Sequence, residues 1–150
     1  MNDESEISIE DARSLLCRAI PAAATGDVTA IELFTEDVIG DAEDLRIRSR
    51  TDLEHQLIDR SGVLSRVDFC LDDLEELADG VIATWRLSGD HTGEVLLDED
   101  ELLEPSGRRI VLSAKTQVRF RGHRVCWFHS VFDGPSLVAQ ISAHQARRPR

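Results

Sequence analysis

The stretch Arg124 to Asp133, RVCWFHSVFD, sets an imidazole and a carboxyl into one apolar run. In a strand, successive side chains alternate between faces. Val125, Trp127, His129, Val131 and Asp133 then share one face, and Cys126, Phe128, Ser130 and Phe132 share the other. If the first set points inward, a carboxyl beside Trp127 and away from water holds its proton more readily, which suits it to moving a proton next to a carbonyl. His129, within ~7 Å on the same face, would share or orient that proton. Asp133 also has a structural reading, in which it ends the strand beside Gly134 and Pro135 and caps the closing segment. His129 has the matching alternative of a hydrogen-bonded sheet histidine. A one-residue bulge near Ser130 would reverse the two faces and carry Asp133 out of a pocket.

His91 follows Trp85, Leu87 and Gly89 at period two. It reads either as a second donor to a cavity or as part of a bulge, Gly89 to Gly93, whose polar side chains tie down backbone. Arg86 and Arg119 read either as cross-strand partners of acidic residues or as holders of a negatively charged ligand group. The acidic runs Asp98 to Glu101 and Asp72 to Glu76 lack the glycine-punctuated spacing of a calcium loop. His55, His91, His123, His129 and His144 show neither the i, i+4 pairing nor the cysteine partners of a zinc site, so no metal is expected. No glycine-rich phosphate loop follows a strand and no G-x-S-x-G elbow is present, which argues against hydride, phosphoryl and serine-type acyl transfer. The chain has no Tyr, and its only Asn is Asn2, so mechanisms built on a phenol or a buried carboxamide are out of reach.

These groups need elements to position them. Ile9, Ala12, Leu15, Leu16, Ala19 and Ile20 recur at helical spacing and predict an amphipathic helix broken near Pro21. Asp27 is placed to cap a second helix through about Phe34. A short extended piece follows around Val38 and Ile39, alternation resumes over Leu45 to Ser49, and Thr51 to Asp59 returns to helical spacing. From Val63 the period is two. Val67, Phe69 and Leu71 share a face, as do Val81, Ala83, Trp85 and Leu87, and then Ile110, Leu112, Ala114, Thr116, Val118 and Phe120. Ala78 to Gly80 and Arg121-Gly122 read as hairpin turns, 98–107 as a longer connection, and Leu137 to Ala143 as a closing stretch. Helices followed by long antiparallel strands predict an α+β domain, with helices on one face of a strongly curved sheet that forms a cone with a cavity at its wide end.

With 29 Asp+Glu against 17 Lys+Arg, the formal charge is −12. That balance argues against nucleic acid and anionic membrane surfaces as partners, and it leaves a basic protein partner on the open sheet face as a weaker option. The 150 residues read as one domain, 1–150, with flexible tails over 1–7 and 145–150. No signal peptide and no run of ~20 apolar residues is seen. Cys17, Cys70 and Cys126 read as buried reduced thiols in a cytoplasmic protein.

Several segments, taken in order, resemble one family. Trp85 to Glu94, WRLSGDHTGE, resembles the G-x-H-x-G-E stretch of the SnoaL-like polyketide cyclases. Pro105 to Arg108 resembles their P-[TS]-G-R turn, Val118 to Phe120 the following strand, and Arg124 to Gln140 their final strand with its Asp and Leu-x-x-Gln segment. The likeness spans roughly residues 28–142. It implies the nuclear transport factor 2-like fold, a conical α+β barrel that is commonly a homodimer through its sheet. It further implies a cofactor-independent enzyme acting on a hydrophobic, carbonyl-bearing small molecule, with aldol-type ring closure of a polyketide-type intermediate. The family's acid/base Asp carries over onto Asp133, with His129 or His91 as oxyanion donor and Trp85, Trp127, Phe120 and Arg119 against the substrate. The family's partner His would fall near Gln117 or Arg119, where this sequence has none. The alternative is a non-catalytic binding or dimerisation module of the same fold.

Overall fold

A computed structural model of the chain describes residues 7–42, 45–96, 102–137 and 139–141. The predicted tails therefore lie outside the described residues, apart from Ile7, and so does the acidic run Asp98 to Glu101. The first helix, α1, spans Ile9–Thr25. The Ser8 hydroxyl accepts the Asp11 amide at 3.0 Å, and Gly26, at φ 81°, ends it. A Cβ at Gly26 would lie 2.5–2.6 Å from backbone atoms of Leu57, Arg60 and Ser61, so this glycine serves both the left-handed turn and the close approach of the second helix. The helix does not break at Pro21. Proline withholds an amide only from the carbonyl of Cys17, an exposed residue that water can serve, and the Thr25 hydroxyl donates back to the Pro21 carbonyl at 2.7 Å.

Asp27 caps the next segment as predicted, accepting the Thr29 hydroxyl at 2.6 Å and its amide at 3.0 Å, bonds that hold its carboxyl below the usual carboxylate range. The segment is a short 3-10 helix, Val28–Leu33, rather than an α-helix. It passes directly into β1, Phe34–Ala42, longer than the short piece expected. Then come β2, Leu45–Ile47, and α2, Arg50–Arg60, capped by Ser49. The long strands are β3, Leu64–Leu77; β4, Gly80–His91; β7, Arg109–Arg121; and β8, Arg124–Phe132. A small pair, β5 at Val95–Leu96 and β6 at Leu102–Leu103, sits in the long connection.

The main sheet has six strands in the order β2-β1-β8-β7-β4-β3 and is curved without closing. Neighbours are antiparallel except β1 and β8, which run parallel and bring the start of the sheet against its last strand. The predicted period-two faces hold on β4 and β7: Val81, Ala83, Trp85, Leu87, Ile110, Leu112, Ala114, Thr116 and Val118 are all buried. Together with Leu16 and Ala19 of α1 and Leu53 and Leu57 of α2, their apolar members form one buried cluster, so the concave face is the core and the helices are its cover.

Candidate functional site: a cavity in the concave face

Small residues leave space inside this core. Ala19, Ala23 and Ala24 of α1 oppose the sheet where Trp85, Phe128 and Phe132 stand, and a cavity of about 70 Å3 remains between them. Leu16 and Ile20 of α1, Phe34 and Ala42 of β1, Leu45 of β2, and Leu112, Val118 and Leu137 complete an apolar wall. The rings are held by one another. Trp85 meets Phe69 at 6.0 Å and the edge of Phe132 at 6.4 Å, and Phe34 meets the edge of Phe128 at 6.2 Å. A cavity of about 150 Å3 takes one benzene ring, so this one takes a molecule of a few heavy atoms or the inner end of a longer one.

The polar content of the wall is concentrated in one chain of side chains. The Trp85 indole N–H donates to the Thr116 hydroxyl at 2.8 Å, and the Thr116 and Ser130 hydroxyls lie 2.8 Å apart. Register explains the contact. Thr116 pairs with Ser130 across β7 and β8 and with Ala83 across β4 and β7, and Ala83 is the same-face neighbour of Trp85 on β4. Arg60, at the end of α2, is the charged residue among the described lining and has a partner of its own.

Ser130 is in this wall because β8 carries a bulge. Phe120 pairs with Val125, but Arg119 pairs with Trp127, so Cys126 is an extra residue on β8. Beyond it the alternation is inverted. Phe128, Ser130 and Phe132 face the cavity, while Trp127, His129 and Val131 face outward. The inward odd face expected from strict alternation is thereby corrected, with the bulge at Cys126 rather than near Ser130.

The outward residues form their own group. Arg119 stacks over Trp127 at 4.5 Å, Trp127 stacks on His129 at 6.4 Å, His129 Nδ1 lies 3.5 Å from Asp41, and Arg119 lies 3.4 Å from Asp79. Asp133 is exposed, and its amide donates to the Ser113 carbonyl at 2.7 Å. It does not line the cavity, although its neighbour Phe132 and nearby Leu137 do. Arg86 is also outward, in a two-bond pair with Asp72 at 2.7 and 2.9 Å that lowers the Asp72 carboxyl's affinity for a proton.

His91 is fully buried, but outside the cavity wall. Its Nδ1 accepts the Ser106 amide at 3.1 Å and contacts the Ser106 hydroxyl at 3.0 Å, tying down the turn that resembles P-[TS]-G-R. Phe120 lines a separate groove with Ile9, Ala12 and Val81. Of the residues singled out in the sequence, the structure thus keeps Trp85 at the cavity. It brings Trp127, His129 and Arg119 together on the opposite face. The cysteines are free, but Cys17 and Cys70 are exposed and Cys126 is half-buried, so the expectation of buried thiols is not met. Cys70 lies on the outward face of β3, where its thiol donates to Asp72. Among the described residues no group of three His, Cys, Asp or Glu side chains is arranged to hold a metal, and no helix is long and apolar enough to cross a membrane.

Sequence reasoning missed Ser130 and the role of Thr116. The signal for Thr116 was present: it is the one hydroxyl in the inward row Ile110 to Val118, and a buried hydroxyl needs a partner.

No family model and no curated protein matches the chain. Solved structures do. A candidate SnoaL-like polyketide cyclase of Jannaschia sp. CCS1 superimposes with a TM-score of 0.71 at 15% identity, over 99% of this chain and 100% of that one. AclR of Streptomyces galilaeus, described as a candidate hydroxylase, gives 0.68 at 17% identity over 91% and 98%. An NTF2-like protein of Anabaena variabilis gives 0.64 at 14% identity over 90% and 93%. The chain therefore has the NTF2-like fold.

Proposed function

We propose that the concave cavity is a binding site for a small, predominantly apolar molecule. The observation that carries this is an apolar chamber kept open by Ala19, Ala23 and Ala24 opposite a wall of Trp85, Phe128 and Phe132, with its hydroxyls gathered at one place. A core selected only for stability closes such space, because unfilled volume costs about 24 cal/mol per Å3. Filling it tests the proposal. In Ala23→Leu the added carbons occupy the cavity, so a thermal-shift screen of small ketones, alkenes and arenes stabilises the wild type and leaves the variant unmoved. Equal shifts in both proteins would place binding elsewhere.

A second reading keeps the enzyme. Asp133 takes a proton from the carbon beside one ligand carbonyl; the enolate carbon adds to a second carbonyl of the same molecule, whose π bond opens to an alkoxide, and the Asp133 carboxylic acid returns the proton to that oxygen, as the resemblance to cyclases suggests. Its support is position: Asp133 lies on the short segment joining Phe132 and Leu137, which both line the cavity. The outward placement of its side chain weighs against it. This reading predicts that the protein catalyses exchange of the α-hydrogens of a small ketone with deuterated water and that Asp133→Asn does not; no exchange above buffer with wild type discards it. The exposed Ile39, Val111 and Val131 on the outward face of the sheet support a homodimer formed through that face.

A further inference from the structure

We infer that Ser130 is the specificity-determining residue of the cavity and that it selects a neutral ligand presenting a hydrogen-bond acceptor, such as a ketone, aldehyde or ester oxygen. The inference rests on the proposed cavity site and adds to it the group that the site recognises. It follows from counting protons. An indole N–H can only donate, so the 2.8 Å contact uses the Trp85 proton on Thr116. Thr116 and Ser130 bring one hydroxyl proton each, and the single contact between them consumes one of the two. One hydroxyl proton is left over, and among the described residues neither hydroxyl has a further partner to take it.

Two arrangements are open to the pair. If Ser130 donates to Thr116, the spare proton sits on Thr116, which is only 4% exposed. If Thr116 donates to Ser130, it sits on Ser130, the more open of the two; both residues line the cavity. Accepting from the indole polarises the Thr116 hydroxyl and makes it the better donor, which favours the second arrangement. The relay then runs from Trp85 through Thr116 to Ser130 and ends as a donor aimed into an apolar chamber. A half-buried donor facing apolar walls gains by finding an acceptor there, so the chamber discriminates for a ligand oxygen. Its described walls carry no carboxylate or imidazole, and Arg60 is already engaged, so a neutral acceptor fits better than an ion.

The test compares butan-2-one with its hydrocarbon isostere 2-methylbut-1-ene, titrated into the full-length protein and followed by the indole N–H NMR resonance of Trp85, assigned by its persistence in Trp127→Phe. The quantity read is the ratio of the alkene's dissociation constant to the ketone's. It is expected to fall about tenfold in Ser130→Ala, the net worth of one hydrogen bond. Ser130→Cys keeps the volume with a weak donor and gives a similar fall, which covers the case in which the alanine variant does not fold. Binding of both compounds with a ratio unchanged in both variants would overturn the role of Ser130 while leaving the cavity site standing. If neither compound moves the Trp85 resonance in wild type, both the cavity site and the role of Ser130 are overturned.

Discussion

At the scale of residues, Trp85 and Trp127 have opposite environments. Trp85 is 3% exposed and gives its N–H to Thr116; Trp127 lies on the outward face under Arg119. Thr116→Val leaves the indole donor buried without its acceptor and is expected to cost about 1–3 kcal/mol of unfolding free energy in urea titration. A neutral substitution would show that water replaces the hydroxyl. Gly40 makes a second residue-scale prediction. It pairs with Phe128, and a Cβ there would lie 2.0–2.6 Å from the Phe128 ring. Gly40→Ala therefore drives the ring toward the cavity, with loss of about 1–3 kcal/mol and loss of ligand-induced stabilisation; an unchanged ligand response would show that the ring yields in another direction. Asp72 gives a pH prediction. Its carboxyl is held below the usual range by Arg86, so the associated stability is present above the ordinary carboxylate value of about 4 and is lost as pH falls through the lowered one. Asp72→Asn should show a smaller drop in Tm between neutral pH and about pH 3 than wild type, by calorimetry.

At the scale of elements, β8 decides what the site is made of. The sequence showed that a strand runs from Arg124 and that inward faces exist on β4 and β7, because Val81 to Leu87 and Ile110 to Val118 alternate without ambiguity. It did not show which face of β8 is inward. The run Val125-Cys126-Trp127-Phe128 is apolar on both parities, and Val131 and Phe132 continue the ambiguity, so hydrophobic pattern cannot set the register. A bulge is a pairing event between two strands, and nothing local to Cys126 announces it. Pro21 failed as a stop signal for a related reason: the carbonyl that loses its partner belongs to Cys17, on the exposed side of the helix, where water can serve it. If Cys126 is only the extra residue of the bulge, deleting it leaves Val125, Phe128, Ser130 and Phe132 inward by plain alternation, and the shortened chain should still unfold cooperatively. Cys126→Ala, which keeps the bulge, should stay within about 1 kcal/mol of wild type in urea denaturation. Loss of cooperative unfolding in the deletion would show that Cys126 does more than add one residue to β8.

At the scale of the whole molecule, the curved sheet separates two surfaces with different uses. Its concave side meets α1 and α2 and encloses the cavity. Its convex side exposes Ile39, Val111 and Val131 at 53%, 55% and 59% among ion pairs such as Arg121 with Asp37 at 2.8 Å. Self-association there predicts that Val131→Asp lowers the mass seen in sedimentation equilibrium to that of a monomer; a monomeric wild type would remove the proposal. The division itself can be tested without a ligand, through hydrogen exchange of the two indole N–H groups followed by NMR. Measured in the Val131→Asp variant, so that self-association does not cover the outward face, Trp85 should be protected to nearly the extent of the core amides and Trp127 should exchange quickly, as an outward side chain does. Protection of both indoles, with Trp127 as slow as Trp85, would place the odd face of β8 inside the molecule and contradict the site described above.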